Sequence, residues 1–219
     1  MTIGKDGVPA VITTNGSAPA TKRPAILLPG RAKPSVITIA ALGVVLTLVQ
    51  AINSLMNYRL NTAGIRPRSL TGLWGVADAP LLHSSWEHLG TNIVPFLIFG
   101  FLVLIAGLRQ FISVTILVWL ISGIGVWLTA ASNTVTVGAS TLVFGWLAFL
   151  LLRGVFSRRF AQLALGVALF VIWGGVFWGL LPGRSGISWQ GHLFGAIAGA
   201  LAAFLVAKAD RPRRSIPAA

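Results

Sequence analysis

One serine and three histidines carry the side chains that could do chemistry in this sequence. Ser140 stands in the stretch 137–141, which reads VGAST, and the histidines are His83, His88 and His192. A serine hydroxyl is a weak nucleophile until a neighbouring base accepts its proton, and a histidine titrates close enough to neutral pH to be that base. His88 and His192 fall within apolar segments, where an ionisable residue is costly and indicates a function.

A second pair of polar residues could stabilise negative charge. His88 and Asn92 are four residues apart, so they share one face of a helix. Their N–H groups can donate hydrogen bonds to an oxyanion that develops during attack on a carbonyl, together with the backbone N–H of Ser140. Taken alone, this spacing is more typical of a hydrogen bond between helices.

Glycines accompany both Ser140 and His192. Gly195 and Gly199 follow His192 at the helical intervals of 3 and 4, and Gly138 and Gly145 flank Ser140. Small residues at this spacing let helix backbones approach closely in a bilayer. Such an approach would bring the imidazole within hydrogen-bond reach of the hydroxyl, about 2.6–3.2 Å. Without the other residues, the pattern would indicate packing and nothing more.

The composition indicates a protein that crosses a membrane several times. Of the 219 residues, 55% are hydrophobic and only 10% are charged, whereas soluble proteins carry about 25% charged residues. A spanning helix needs about 20 mostly apolar residues, and lipid cannot satisfy the backbone of any open structure. The sequence predicts an all-α membrane protein with six transmembrane helices, near residues 36–57, 86–107, 111–130, 138–153, 161–181 and 189–208.

Lysine and arginine residues predict the orientation of these spans. With the N-terminus inside, thirteen of the 17 lie on the inner side and four on the outer side. We therefore expect both termini to be cytoplasmic, with basic tails over 1–34 and 209–219 and a membrane domain over 35–208 that includes an outer loop at 58–85. Because the net charge of +13 follows from this topology, it favours contact with a lipid bilayer and does not indicate nucleic acid.

This orientation places the candidate side chains at one depth of the membrane. Spans two, four and six all run from outside to inside, so His88, Ser140 and His192 lie near their outer ends. The fourth span is short, and we expect it to begin at the floor of a water-filled cavity, the kind of place where irregular backbone is tolerated. A serine bonded to its own helix is the alternative for Ser140 alone, but the conjunction predicts hydrolysis by an activated serine.

Three motifs together resemble those of the rhomboid intramembrane serine proteases. They are His83-x4-His88-x3-Asn92, Gly138-Ala-Ser140 and Gly191-His192-x2-Gly195-x3-Gly199, and the resemblance covers residues 36–207. It implies a rhomboid-like bundle in which Ser140 is the nucleophile and His192 the general base of a dyad without an acidic third member. His88 and Asn92 would form the oxyanion hole, and His83 is assigned no catalytic step. The supporting positions would be Gly138, Phe144, Gly195 and Gly199.

The resemblance also implies what the protein acts on. The expected activity is hydrolysis of a peptide bond in or near the transmembrane segment of another membrane protein, with no cofactor and no metal, in the plasma membrane of a bacterium. The loop 58–85 resembles the membrane-lying first loop of the family. The fifth span would be a lateral gate through Trp173, Phe177 and Trp178, although the same aromatic face fits simple contact with lipid slightly better.

Three positions depart from the family pattern. Thr141 stands where glycine usually follows the serine, and a β-branched residue there could narrow the site. Phe144 replaces the usual tyrosine and can stack on His192 without supplying a hydroxyl. In the first loop, Gly75 follows Trp74 where the family has arginine. None of these changes removes a catalytic group.

Other functions fit the sequence less well. A non-catalytic rhomboid-like protein that binds membrane clients usually lacks the serine or the histidine, and this chain has both. A transporter would favour ionisable residues deep in its spans or inverted repeats, whereas no repeat is evident and none of the four acidic residues, Asp6, Asp78, Glu87 and Asp210, lies deep. The chain has no His-Glu-x-x-His zinc motif and no intramembrane aspartate pair.

Overall fold

The computed structural model describes residues 29–183 and 186–210, and these ranges are almost entirely helical. Six of the helices are long and apolar enough to cross a membrane, which confirms the predicted six-span architecture. Most of the two predicted tails lies outside the described residues. The α-helices are α1 Pro29–Leu55, α2 Gly75–Asp78, α3 Trp86–Ile105, α4 Leu108–Thr129, α5 Ser140–Ser157, α6 Phe160–Trp173 and α7 Trp189–Ala209; a 3₁₀ segment, Gly174–Leu180, continues α6.

Helix α5 forms the centre of the bundle. Two thirds of its apolar stretch (67%) is buried, against 11% for α6 with its 3₁₀ continuation, so α6 is a peripheral element. The largest buried side chains of α5 are Trp146, Leu147 and Phe149, which join the main core together with Phe99 of α3. Because α3, α4, α6 and α7 all pack on α5, the position of its first residue, Ser140, is fixed from several sides.

Helices α5 and α7 approach each other through glycines. A Cβ atom placed on Gly195 would collide with the carbonyl oxygen of Thr141, and one placed on Gly199 would collide with that of Gly145. Only a residue without a side chain permits this separation. The close packing predicted from the glycine spacing is therefore present, and it brings the N-terminal turn of α7 beside that of α5.

Two element boundaries differ most from the sequence prediction. Helix α1 begins at Pro29 and not near residue 36, because a helix can continue past the apolar run that hydropathy detects. Arg31 of this extension donates a hydrogen bond to the carbonyl oxygen of Ala106 (3.1 Å), at the turn between α3 and α4. The fifth span is α-helical only as far as Trp173, and the glycine pair at 174–175, which has poor helix propensity, begins the 3₁₀ segment.

The long loop between α1 and α3 is compact and is tied to the segment before α5. The main chain of Ile65 pairs with that of Thr136, and the N–H of Gly138 donates to the carbonyl of Ala79 (2.8 Å). Asn53, fully buried at the end of α1, donates to the carbonyl of His83 (3.2 Å). The loop thus connects α1 with the residues that lead into Ser140.

The same loop presents apolar side chains on its outside. Leu70 is 83% exposed and Trp74 is 79% exposed, as expected for a loop that contacts lipid. The structure also explains the departure at Gly75, where a Cβ atom would fall on the backbone of Gly64. An arginine cannot occupy this position unless the loop changes its path.

Candidate active site

Ser140 is the first residue of α5, so its backbone lies at a helix N-terminus. Among the described residues, the N–H groups of Ser140 and Thr141 have no hydrogen-bond acceptor. The first turn of a helix leaves such groups unpaired and carries partial positive charge. A negative charge that forms next to Ser140 would therefore meet a favourable electrostatic environment.

His192 lies beside Ser140, on the first turn of α7. Its Nε2 is 2.9 Å from Oγ of Ser140, and its Nδ1 is 3.0 Å from the carbonyl oxygen of Gly179. Because a carbonyl oxygen only accepts hydrogen bonds, Nδ1 must carry the proton and Nε2 must accept from the serine hydroxyl. His192 is therefore held in the tautomer that a general base for Ser140 requires.

The ring of His192 is also held by an aromatic stack. Phe144, one turn after Ser140 on α5, lies parallel to the imidazole with 4.0 Å between ring centroids and 8° between planes. Phe177 of the 3₁₀ segment contacts Phe144 edge-on at 6.3 Å. The stacking expected at Phe144 is present without a hydroxyl, and two residues of the fifth span, Phe177 and Gly179, support the histidine.

His88 has the opposite tautomer. Its Nδ1 accepts the backbone N–H of Ser84 (3.4 Å) and lies 3.0 Å from the Ser84 hydroxyl, so its proton resides on Nε2. The N-cap of α3, Ser85, accepts the backbone N–H of His88 (3.0 Å) and thereby fixes the start of the helix. His88 is consequently a hydrogen-bond donor at Nε2.

Gly138 shows where that donor lies. A Cβ atom on Gly138 would be 2.8 Å from Nε2 of His88 and 3.8 Å from Oγ of Ser140, so both atoms border the same small volume. Gly138 also has φ of +124°, a backbone conformation that side-chain-bearing residues rarely adopt. It lies before α5 and not within it, and its lack of a side chain keeps the space between His88 and Ser140 open.

Asn92, unlike His192, makes no hydrogen bond to Ser140 among the described residues. Its amide is buried and donates to the carbonyl oxygen of His88 (2.7 Å), within α3. Within the described ranges it makes no hydrogen bond to α5 or α7. The amide has a second N–H, which is the group that remains for an oxyanion.

His83 supports the site from the loop. It is fully buried, and its Nε2 accepts the backbone N–H of Ala139 (3.3 Å), the residue before Ser140. Burial, and to a smaller extent the neighbouring His88 ring, lowers the pKa of His83 from 6.5 to about 4. His83 therefore remains neutral and holds the entry to α5 through the one lone pair that a neutral imidazole offers.

Two groups that hold the site histidines, the carbonyl of Gly179 and the side chain of Ser84, were not predicted from the sequence. The carbonyl of Gly179 has no side-chain signature, so no pattern of residue types could reveal it. Ser84 could have been found, because it precedes His88 by four residues and serine is a common hydrogen-bond partner next to a helix start.

Thr141, which departs from the family pattern, packs its methyl group against Gly191 of α7.

A cleft of about 460 Å³ borders the site at this end of the bundle. Its walls come from the segment before α5, the segment before α7 and the loop before α3. They include Val137 beside Gly138, Ser84 beside His88, and Ser188, the N-cap of α7. The cleft is therefore adjacent to the site, although Ser140 and His192 do not line it.

The fold and these motifs define the class of protein. The rhomboid domain matches residues 70–209, and the chain belongs to the rhomboid family of membrane proteins. Two relatives, from Mycobacterium tuberculosis and Mycobacterium bovis, are each 42% identical over 204 residues, which cover 90% of this chain and 82% of the relative. A relative from Mycobacterium leprae is 42% identical over 188 residues, covering 82% and 74%. All three are described as uncharacterized proteins, so these matches show that the chains are related but assign no activity.

Proposed function

We propose that this chain is an intramembrane serine endopeptidase that cleaves membrane-protein substrates in or near their transmembrane segments. The observation that carries the proposal is the 2.9 Å contact between Nε2 of His192 and Oγ of Ser140, in a tautomer that leaves Nε2 free to accept a proton. Membership of the rhomboid family supports this assignment, because the family is generally made up of intramembrane serine proteases.

The first step is acylation of Ser140. As Oγ bonds to the substrate carbonyl carbon, its proton moves to Nε2 of His192, and the carbonyl oxygen becomes an oxyanion. The resulting imidazolium is stabilised by its Nδ1–H bond to the Gly179 carbonyl, which takes the place of an acidic third residue. His192 then gives the proton to the leaving amine as the carbon–nitrogen bond breaks.

The oxyanion is stabilised by preorganised donors. We assign this role to the backbone N–H of Ser140, Nε2–H of His88 and the second N–H of the Asn92 amide. Donors fixed before the reaction need no reorganisation as charge develops, which is why such groups contribute strongly to rate. In the second half-reaction, water attacks the acyl group and His192 accepts its proton. His192 then returns this proton to Oγ of Ser140 as the acyl–oxygen bond breaks.

A mechanism-based probe tests the proposal without a known substrate. The protein, purified in detergent and separately reconstituted in lipid, is treated with a fluorophosphonate, and the modified residue is located by mass spectrometry. We expect one adduct, on Ser140, and we expect labelling to be abolished in Ser140→Ala and His192→Ala. Ser157→Ala, which changes the serine at the other end of α5, is the matched control and should label normally.

The outcomes separate catalysis from client binding. An adduct on Ser140 that depends on His192 supports an activated serine and justifies a search for cleaved membrane proteins. Labelling that is equal in wild type and Ser140→Ala contradicts the proposal. Folded protein that resists the probe in detergent and in lipid would instead favour a rhomboid-like protein that binds membrane clients without cutting them.

A further inference from the structure

A second cavity lies at the end of the bundle that is far from Ser140. It measures about 390 Å³ and is enclosed by the ends of α3, α4, α5 and α6 together with the end of α7. One wall is apolar and includes Leu102, Phe149 and Leu165, and the other is polar. The polar wall is made by Gln110, Arg153, Arg159, Gln162 and Asp210.

Arg153 is the polar group buried most deeply in this wall. Its side chain is only 8% exposed, and its Nη2 forms an ion pair with Asp210 (2.6 Å). Its other terminal nitrogen, Nη1, is buried and has no hydrogen-bond partner among the described residues. An unpaired buried donor is unfavourable, all the more so on a charged group. A buried guanidinium that lines a cavity and retains unused N–H groups is suited to bind an anion in the fork geometry that arginine offers.

Two further features of the rim favour negative charge. Arg159 lies 4.0 Å from the same oxygen of Asp210, so the single carboxylate faces two guanidinium groups. Arg159 is also the N-cap residue of α6, and no side chain caps that helix. The uncapped first turn of a 14-residue helix attracts anions through its free N–H groups. The charges at the rim therefore sum to a positive value even with Asp210 in place.

We propose that this cavity binds the phosphate group of an anionic phospholipid. Arg153 and Arg159 would contact the phosphate oxygens, and the apolar wall would accept the first part of an acyl chain. The distribution of lysine and arginine predicts that this end of the bundle faces the cytoplasm, where anionic lipids attract basic residues. Free inorganic phosphate shares the headgroup chemistry but gains nothing from the apolar wall. The proposal is independent of the protease assignment.

The binding experiment compares lipids of equal chain length. Full-length protein in a neutral detergent is titrated with phosphatidylglycerol, phosphatidylcholine or inorganic phosphate, and bound lipid is counted by native mass spectrometry while thermal unfolding is followed in parallel. We expect one tightly retained phosphatidylglycerol, a higher unfolding temperature with that lipid, and little effect of phosphatidylcholine. Stabilisation by inorganic phosphate to the same extent would overturn the lipid assignment and leave a free-anion site.

Variants of the rim test the assigned contacts. Arg159→Gln should weaken phosphatidylglycerol binding about fivefold, as expected for one basic residue at a headgroup. The control, Arg158→Gln, removes the neighbouring exposed charge, which does not line the cavity, and should leave binding nearly unchanged. Equal losses in both variants would contradict the proposal, because they would indicate general attraction of a basic surface to acidic lipid.

Asp210→Asn gives a result that a purely structural ion pair cannot give. If the Arg153–Asp210 pair only stabilises the fold, the variant should unfold at a lower temperature with or without lipid. If the cavity binds a phosphate, removal of the competing carboxylate should tighten phosphatidylglycerol binding about tenfold and the lipid should restore the unfolding temperature. Unchanged or weaker binding in Asp210→Asn would overturn the proposal.

Discussion

The carbonyl oxygen of Gly179 lies 3.0 Å from Nδ1 of His192, and this bond connects the candidate general base to the least buried span of the bundle. Gly179 belongs to the 3₁₀ segment Gly174–Leu180, which also contributes Phe177 to the stack on Phe144. Any displacement of this segment that admits a substrate would also change the group that orients His192. We therefore predict a link between the position of this segment and the proposed activation of Ser140.

Gly179→Ala tests this link. The added methyl group would lie 3.0 Å from Nδ1 of His192 and 3.3 Å from Cζ of Phe144, close enough to shift the 3₁₀ segment or the imidazole. We expect the rate of fluorophosphonate labelling of Ser140 to fall about tenfold, which corresponds to roughly 1.4 kcal/mol of transition-state stabilisation. The thermal unfolding temperature should change little, because the segment is peripheral.

The same segment supplies the control. A Cβ atom on Gly175 would have no heavy atom within 4 Å, so Gly175→Ala changes helix propensity without contact to His192. We expect Gly175→Ala to label at the wild-type rate. Similar losses in the two variants would show that the stiffness of the segment matters and that the Gly179 carbonyl has no special role.

Gly138→Ala should affect both the backbone and His88. A residue with a side chain is strained at φ +124°, which costs on the order of 1–3 kcal/mol, and the new methyl group would meet the imidazole of His88 at 2.7 Å. Because the imidazole is the movable partner, we expect it to leave its position as an oxyanion donor. Labelling of Ser140 should fall about 100-fold, as measured from the time course of adduct formation.

Gly107 offers the matched control for backbone strain. It has φ +144° in the turn between α3 and α4, and an added Cβ would meet only the flexible end of Arg31, at 3.2 Å. Gly107→Ala should lower the unfolding temperature to a similar degree and leave labelling of the remaining folded protein unchanged. A comparable loss of labelling in Gly107→Ala would assign the effect at Gly138 to strain alone.

Asn92 and Thr91 share one hydrogen-bond acceptor, so a comparison of their variants isolates the role of the second N–H of Asn92. Both side chains donate to the carbonyl oxygen of His88, at 2.7 Å and 2.9 Å, but only Asn92 has a second N–H to offer to an oxyanion. We expect Asn92→Ala to reduce the labelling rate about 100-fold and Thr91→Ala to have little effect. Equal effects would mean that both residues act by holding the first turn of α3, in which case Asn92 is a positioning residue.

The sequence predicts the positions of His88, Ser140 and His192 well because each depends on a helical period and on a span count. Apolar runs of sufficient length must be helices in lipid. Because successive spans run in opposite directions, the number of a span decides which of its ends lies on the outer side of the membrane. The glycines at 195 and 199 predict the close approach of α5 and α7 in a similar way, because their spacing alone places them on one face of a helix.

The sequence does not predict the parts of the site that depend on the path of the backbone. The Gly179 carbonyl reaches His192 only because the fifth span changes from α-helix to 3₁₀ geometry after Trp173. The extension of α1 to Pro29 was not predicted, because hydropathy does not detect a helix that continues beyond the apolar run. The amide of Asn92 turns out to bond within α3, and a helical period cannot distinguish that choice of acceptor.

His83 predicts a specific pH dependence of stability. Its pKa is lowered from 6.5 to about 4, chiefly by burial, so the unfolded chain binds a proton at this residue more readily than the folded protein does. The contribution is fully present above pH 6.5 and is lost as the pH falls from 6.5 towards 4. At about 1.4 kcal/mol per pKa unit, it amounts to roughly 3 kcal/mol.

Two substitutions separate the charge of His83 from its hydrogen bond. His83→Gln can still accept the N–H of Ala139 but cannot be protonated, so its unfolding temperature should depend less on pH between 6.5 and 4 than that of the wild type. His83→Leu leaves the N–H of Ala139 unpaired, which costs about 1–3 kcal/mol, and should be less stable than His83→Gln at every pH. Thermal unfolding followed by tryptophan fluorescence across this range measures both effects. An unchanged pH dependence in His83→Gln would show that other groups account for the loss of stability in acid.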